Sequence, residues 1–265
     1  MTYMEKQVSL EKLGKEIIQD LYREGMIRTW YRDKPDGFTL ASGMYSPFYI
    51  NLRLISSVPS GSIELYRKAG EAVGLMLKNA GFVADGIHRI VGVAMAGIPL
   101  ANAVTLNMGI PSLYTRKLPE DVKTPEDVEE YIRAHGQKAL VEGDFESGDR
   151  LAIVDDLVTT FGSKALAISQ VEQEAKQRGI TDLTIKDIVV LIDREQGGAQ
   201  KAAELGYNLH ALIPFASKGL DWLQDSLHPI EYETISSYLQ NPEAYQDKEV
   251  QTGLTDIAKE RYLRR

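Results

Sequence analysis

The sequence predicts an α/β protein whose mostly parallel β-sheet is flanked by helices. Between Ile87 and Ile213, short apolar runs rich in β-branched residues alternate with stretches of helical spacing. Strands that alternate with helices are typical of parallel sheets covered by helices on both faces. A chain of 265 residues is long enough to bury a substantial core in one such domain with additions.

The first part of the chain predicts a helix followed by short strands. Apolar residues recur at helical spacing over residues 9–24, with Ser9 as a suitable N-cap and Gly25 as a suitable stop. Glycine, proline and aromatic residues then punctuate Phe38–Arg53, which favours short strands. Residues 62–80 return to helical spacing. We predict that residues 1–60 form an N-terminal helix and hood segment.

The repeating part predicts a parallel sheet over residues 61–217. Ligands of such sheets bind beyond the carboxyl ends of the strands. The predicted strands are Ile87–Ala94, Pro111–Tyr114, Arg150–Val154, Ile185–Ile192 and Leu209–Ile213. The helices between them are a stretch ending near Met108, then Lys164–Arg178 and Gln200–Leu205.

Two segments fall outside this repeat. Leu118–Tyr131 is acidic and interrupted by proline, which predicts a mobile surface loop that can include a short helix. Residues 218–265 are polar and predict a helical C-terminal extension.

Composition excludes several classes of function. Without cysteine there is no disulfide framework and no thiolate metal site. A formal net charge of −8 argues against nucleic-acid binding, since phosphate contacts dominate that affinity. The charged N-terminus is a poor secretory signal, and no apolar run is long enough to span a membrane. We therefore expect a soluble, cytoplasmic protein. His88, His210 and His228 have no partners at metal-ligand spacing, so we expect no protein-held zinc.

One segment carries the clearest chemical signal. An apolar strand, Leu151–Val154, is followed by Asp155 and Asp156 and then by the hydroxyl-rich turn Thr159–Ser163 before a helix. Backbone N–H groups and hydroxyls at a helix N-terminus bind anions, and carboxylates accept hydrogen bonds from vicinal hydroxyls. An isolated Asp-Asp pair would more often be a solvated strand end. The complete pattern favours a sugar phosphate site.

This segment resembles the phosphoribosyl-pyrophosphate motif of type I phosphoribosyltransferases. The resemblance implies that fold, and it implies that Asp155 and Asp156 hold the ribose hydroxyls. It also implies that the loop binds the 5′-phosphate through Thr159, Thr160, Phe161, Gly162 and Ser163.

Other segments resemble the orotate phosphoribosyltransferase family. They read, in chain order, FTLASGMYSPFYINLR, GVAMAGIPLANAV, Arg116-Lys117 with RAHGQKALVEG from Arg133, and LIDREQGG. The resemblance implies transfer of phosphoribose to orotate with Mg²⁺, and a homodimer. The implied orotate-binding residues are Phe48, Tyr49, Thr159 and Arg194. The implied catalytic residues on the mobile loop are Arg116, Lys117, Arg133 and His135, acting with Asp155 and Asp156.

Several positions depart from the family pattern. Ala41 and Ala96 stand where lysines are expected to contact pyrophosphate, Arg133 replaces a lysine, and Phe161 replaces a glycine. A bulky residue at 161 is expected to narrow the approach to the 5′-phosphate, with Gly162 restoring the turn. Two alternatives therefore stay open: a non-catalytic ligand sensor or regulator on the same fold, and a phosphoribosyltransferase for a purine base.

Overall fold

A six-stranded sheet forms the centre of the protein in the computed structural model, which describes residues 3–40, 42–57, 63–79, 86, 88–136 and 138–263. Its strands are β5 (Arg89–Gly92), β6 (Ser112–Thr115), β7 (Val141–Glu142), β8 (Arg150–Val158), β9 (Thr184–Asp193) and β10 (Asn208–Pro214). Their order is β10-β9-β8-β5-β6-β7, and only β7 is antiparallel to its neighbour. The predicted mostly parallel α/β fold is confirmed.

Helices cover both faces of this sheet. The α-helices in the described part of the chain are α1 (Tyr3–Arg23), α2 (Ile63–Asn79), α3 (Gly97–Met108), α4 (Pro125–His135), α5 (Gly162–Arg178), α6 (Gly198–Glu204), α7 (Leu220–Trp222), α8 (Pro229–Gln240) and α9 (Lys248–Leu263). No helix within these described ranges is both long and apolar enough to cross a membrane.

Alternating side chains of the sheet supply two hydrophobic cores. On β8, Val154 belongs to one core, which includes residues of α1, α2 and α3, whereas Ile153 belongs to the other, which includes residues of α4, α5 and α6. The same alternation holds for Val189 and Val190 on β9. Successive side chains of a strand point to opposite faces, so a strand covered on both faces is apolar throughout.

Strand β8 is longer than the sequence predicts. The predicted strand ends at Val154, but pairing with β9 continues through Asp155 and Leu157 to Val158. Aspartate is a poor strand former, yet the parallel hydrogen-bond ladder holds it in extended backbone here. The two carboxylates are therefore fixed by the sheet rather than carried on a turn.

Helix α1 also begins earlier than predicted. It starts at Tyr3, so Ser9 lies within the helix and is not its N-cap. The preceding residues contain good helix formers and neither glycine nor proline. The predicted stop is confirmed, since the helix ends at Arg23 and Gly25 takes the left-handed backbone conformation with φ 71°.

Residues 27–50, excluding Ala41, form a segment that we call the hood. It contains two antiparallel strand pairs, in agreement with the predicted short strands. These are β1 (Ile27–Thr29) with β4 (Phe48–Ile50), and β2 (Phe38–Thr39) with β3 (Tyr45–Ser46).

The C-terminal helices hold the hood in place. The Trp30 indole N–H donates to the Leu254 carbonyl of α9 at 3.1 Å, and the Thr29 hydroxyl donates to the buried Glu231 carboxylate of α8. Gln246, between these helices, accepts from the Tyr45 backbone N–H at 2.8 Å and donates to its carbonyl at 3.2 Å. The Gln246 amide therefore pairs with β3 as a neighbouring strand would.

Removing this side-chain amide should loosen the hood. The Gln246 amide also donates to the Pro242 carbonyl at 2.9 Å. We expect Gln246→Ala to lower the free energy of unfolding by about 1.5–4.5 kcal/mol, since each of the three lost hydrogen bonds contributes about 0.5–1.5 kcal/mol. We also expect faster hydrogen exchange at the Tyr45 amide. Urea unfolding and exchange measurements test both effects. Glu243→Ala, an exposed change in the same turn, is the control. Equal stability losses and equal Tyr45 exchange in the two variants would contradict the pairing.

Candidate functional site

A cavity of about 560 Å³ opens at the carboxyl ends of β5, β8 and β9, beneath the hood. The hood, the β5–α3 turn, the β8–α5 loop and the residues after β9 supply its walls. Sequence-predicted site residues in the wall are Tyr49, Asp155, Asp156, Thr159, Thr160, Ser163 and Arg194. The sheet edge predicted for a ligand and this cavity are therefore the same place.

Both aspartates of β8 are held by short hydrogen bonds. The two Asp155 carboxylate oxygens contact different partners: Oδ1 accepts from the Asp156 backbone N–H at 2.9 Å, and Oδ2 lies 2.8 Å from Lys164 Nζ. Asp156 Oδ1 accepts from the Leu157 backbone N–H at 2.8 Å. The carboxylates thus have set orientations at the cavity wall.

Their proximity changes the acidity of Asp156. Burial first, and then repulsion from the Asp155 carboxylate, raise the pKa of Asp156 to about 7, while the nearby Lys164 ammonium opposes that rise. Asp156 therefore holds its proton to a higher pH than an isolated carboxyl group would.

The β8–α5 loop makes its tight turn at Phe161. This residue has φ 71°, a conformation that favours glycine, and it precedes the first residue of α5. Its side chain is only 1% exposed and packs in the second core, 6.0 Å from the Tyr207 ring between centroids. Burial of a large aromatic ring stabilises the protein enough to offset the unfavourable backbone.

The predicted effect of Phe161 on the cavity is therefore wrong. Its ring lies beneath the loop and outside the cavity wall, so it does not narrow the approach to a phosphate. The turn is made at Phe161 itself, whereas Gly162 is the first helical residue and has no positive φ.

Arg194 is the most unusual group in the cavity. It is 8% exposed, and its Nε and Nη2 atoms have no hydrogen-bond partner. Its guanidinium carbon lies 5.2 Å from the centroid of the Phe48 ring. Burial lowers the pKa of Arg194. Buried donors are nearly always paired, so two unpaired nitrogens on a residue that borders the cavity are exceptional.

Phe48 and Tyr49 differ in their relation to the cavity. Phe48 is fully buried behind Arg194 and is not part of the wall, whereas Tyr49 is exposed, lines the cavity and stacks on Phe38. In a strand, successive side chains point to opposite sides, so the two neighbours cannot both face the cavity. The prediction that Phe48 contacts the base directly is corrected to a place beneath Arg194.

The β5–α3 turn forms another part of the cavity wall. Ala96 lines the cavity immediately before α3, and Ala41 lies outside the described residues. A Cβ atom on Gly97 would come within 2.4 Å of the Val154 carbonyl oxygen, so only glycine permits this close contact with β8.

Lys164 and Arg53 also line the cavity, and the sequence-based site omits both. Lys164 follows the loop and occupies the buried face of α5 at positions shared with Ile168, Val171 and Ala175. A lysine at an apolar position of a helical pattern was the signal that could have identified it.

The four predicted loop residues Arg116, Lys117, Arg133 and His135 are absent from the described cavity wall. Residues 125–135 form α4, which begins with a Thr124–Asp127 capping box and includes Arg133 and His135. Val128 is fully buried. The helix that the sequence allows within Leu118–Tyr131 is present but longer than predicted. The cap and the buried valine stabilise 11 residues, and the helix continues past Tyr131 to His135.

Two histidines have carboxylate partners that sequence spacing does not reveal. His88 Nδ1 lies 3.0 Å from Asp149, and His210 Nε2 lies 3.1 Å from Asp187. In the part of the chain that the structure describes, no group of three or more His, Asp or Glu side chains could hold a metal ion.

Comparisons with known proteins give one consistent assignment. No family model matches the chain. It is 31% identical over 204 residues to the orotate phosphoribosyltransferase of Methanosarcina acetivorans, covering 77% of this chain and 90% of that protein. It is 32% identical over 169 residues to the orotate phosphoribosyltransferase of Lactobacillus johnsonii, covering 63% of this chain and 69% of that protein.

Solved structures agree in fold. UMP synthase of Leishmania donovani matches with a TM-score of 0.61 and 26% identity, over 85% of this chain and 42% of that longer chain. Orotate phosphoribosyltransferase of Aeropyrum pernix matches with a TM-score of 0.56 and 24% identity, over 79% and 97% of the two chains. With the sequence similarity above, these findings show that the chain belongs to the orotate phosphoribosyltransferase family.

Proposed function

We propose that this protein transfers the phosphoribosyl group of phosphoribosyl pyrophosphate to orotate, giving orotidine 5′-monophosphate and pyrophosphate. The observation that carries the proposal is the unpaired Arg194 guanidinium, which lies in the same cavity as the Asp155–Ser163 segment. Orotate is a planar base with a carboxylate, and a guanidinium binds carboxylates through two parallel hydrogen bonds.

The cavity divides naturally between the two substrates. Asp155 and Asp156 would accept hydrogen bonds from the ribose hydroxyls, and Thr159, Thr160 and Ser163 would bind the 5′-phosphate at the start of α5. Phe161 and Gly162 would contribute backbone rather than side-chain contacts. Tyr49 and Thr159 would border the base, and Phe48 would support Arg194 from behind.

The reaction needs no protein nucleophile. A ring nitrogen of orotate forms the bond to the anomeric carbon while the bond from that carbon to pyrophosphate breaks. Pyrophosphate leaves with the electron pair, and the proton of the ring nitrogen passes to the departing pyrophosphate. The anomeric carbon carries oxocarbenium character in the transition state, so alignment of the two substrates and stabilisation of the leaving group supply the catalysis.

Mg²⁺ belongs to this proposal as a companion of the substrate. Mg²⁺ prefers oxygen ligands and keeps several waters, and when bound it would supply positive charge beside the pyrophosphate. Asp156 is the cavity carboxylate best suited to bind its water ligands, because Asp155 is paired with Lys164.

Cations for pyrophosphate would come from the segment around α4. We assign this role to Arg116, Lys117, Arg133 and His135, which requires α4 to move or to act in the cavity of a second subunit. A cytoplasmic homodimer is part of the proposal, and the family resemblance supports it. Orotate and phosphoribosyl pyrophosphate are the proposed partners, with neither nucleic acid nor membrane.

The two alternatives receive less support. A purine base has no carboxylate to pair with Arg194, whose buried donors favour an acidic base. A non-catalytic sensor is favoured only by the alanines at positions 41 and 96, and Lys164 and Arg53 supply positive charge to the same cavity.

The direct test is a spectrophotometric assay with orotate, phosphoribosyl pyrophosphate and Mg²⁺. Consumption of orotate with release of pyrophosphate supports the proposal. Binding of both substrates without turnover would support the sensor, and turnover of adenine or guanine in place of orotate would support the purine enzyme.

Arg194 should determine the affinity for orotate. We expect Arg194→Lys to raise KM for orotate by roughly ten- to a hundredfold, because a charged hydrogen bond contributes about 1.5–3 kcal/mol and lysine lacks the planar fork. KM for phosphoribosyl pyrophosphate should change little. Steady-state kinetics with both substrates measure the difference, and Arg67→Lys on the exposed face of α2 is the control. A rise in KM for phosphoribosyl pyrophosphate alone would contradict this prediction, because it would show that Arg194 binds that substrate and not orotate.

Asp156 should impose a pH dependence on the reaction. Only its ionised form accepts hydrogen bonds through both oxygens, so kcat/KM for phosphoribosyl pyrophosphate should rise as pH increases through about 7. Asp156→Asn should remove this inflection and leave a lower, flatter profile. Asp182→Asn, an exposed change, should retain the inflection.

The same pKa affects stability with the opposite sign. Between about pH 4 and about pH 7 the folded protein holds a proton that the unfolded chain releases. The contribution of Asp156 to stability is therefore lost as pH rises through that interval. Urea unfolding across this range should show a weaker pH dependence for Asp156→Asn. Identical pH dependence of both kcat/KM and unfolding in the two proteins would contradict the raised pKa.

A further inference from the structure

Lys164 is a buried cation at the cavity wall. Its side chain is 4% exposed, although lysine is almost never fully buried without partners. The ammonium lies 2.8 Å from Asp155 Oδ2 and 3.2 Å from the Ser163 hydroxyl, and it donates to the Leu157 carbonyl. An ammonium has three donors, and three acceptors surround this one.

These acceptors lie on both sides of one loop. Asp155 and Leu157 belong to β8, Ser163 belongs to the first turn of α5, and the turn at Thr159–Phe161 runs between them. The Lys164 side chain therefore ties the start of the loop to its end. Because all of these contacts are made within the protein itself, they hold the loop without any contribution from a phosphate.

Lys164 also changes the net charge of the groups that line the cavity. Two adjacent carboxylates at a cavity wall repel a polyanion, and the ammonium cancels the charge of Asp155 at short range. The charged groups of the described wall are then Asp155 and Asp156 against Arg53, Lys164 and Arg194. With Lys164 removed, negative and positive groups would be equal in number.

We propose that Lys164 is a positioning residue for phosphoribosyl pyrophosphate, fixing the phosphate loop and neutralising Asp155 in the unliganded protein. This inference rests on the proposed function, because it takes its ligand from there. Lys164 does not touch the reacting atoms. It acts through Asp155 and through the loop that holds the 5′-phosphate.

Substitution of Lys164 should separate the two substrates. Lys164→Met keeps the length and apolar stem of the side chain but removes the ammonium. We expect the dissociation constant and KM for phosphoribosyl pyrophosphate with Mg²⁺ to rise by about ten- to a hundredfold. KM for orotate should stay unchanged. Lys176→Met is the matched control, since Lys176 lies on the same helix but is exposed. Calorimetric titration and steady-state kinetics on the full chain measure these constants.

A merely structural role gives a different result. Partial unfolding lowers the active fraction, and therefore kcat, without changing the KM of one substrate alone. Unchanged binding of phosphoribosyl pyrophosphate by Lys164→Met, or an equal rise in both KM values, would overturn the proposal while leaving the proposed function intact. Failure of the natural protein to bind phosphoribosyl pyrophosphate would overturn both.

Backbone relaxation measured by NMR on the natural protein tests the same idea if Lys164→Met does not fold. A loop fixed in advance should give order parameters of about 0.85, those of a rigid backbone, for the amides between Leu157 and Ser163 before any ligand is added. Order parameters below about 0.6 in the unliganded protein, rising only after phosphoribosyl pyrophosphate and Mg²⁺ are supplied, would show that the ligand rather than Lys164 orders the loop.

Discussion

Phe48 occupies the point at which three parts of the chain meet. Its ring stacks on Phe215, just after β10, at 5.2 Å and meets Tyr238 of α8 edge-on at 5.8 Å. Its other neighbour is the Arg194 guanidinium. Aromatic contacts of this kind add to the stability gained by burial, and an aromatic face also attracts a cation. The Arg194 guanidinium at the cavity thus rests on the Phe48 ring, and the packing of Phe48 joins the hood to the sheet and to the C-terminal extension.

The order of the elements could be predicted because the sheet is covered on both faces. Such strands must be apolar throughout, so β8 and β9 stand out from the helices around them. The ends of elements were harder to predict. Asp155 and Asp156 have low strand propensity, and only pairing with β9 keeps them extended. That pairing depends on residues far away in the sequence.

The candidate site was predictable where chemistry depends on local order. Asp155, Thr159, Thr160 and Ser163 are close in sequence and lie together in the cavity wall for that reason. The direction of side chains was harder to predict from the sequence. The sequence places Phe161 in the phosphate loop, but it does not show that the ring is buried beneath the loop and away from the cavity. Lys164 was missed because a lysine beside a loop is usually solvated, and its acceptors become visible only once α5 is packed on β8.

The hydrogen bond between Trp30 and Leu254 constrains the order in which the chain can fold while it is being synthesised. A ribosome makes the N-terminal region first, and domains generally begin to fold as they emerge. The hood, however, completes its contacts only with Gln246 and α9, which follow all strands of the sheet in the chain and are therefore synthesised after them. The hood above the cavity can therefore complete its packing only after the sheet beneath it is able to form. During that interval the nascent chain exposes Phe48 and its apolar neighbours, and this is the stage at which chaperones would have most to protect.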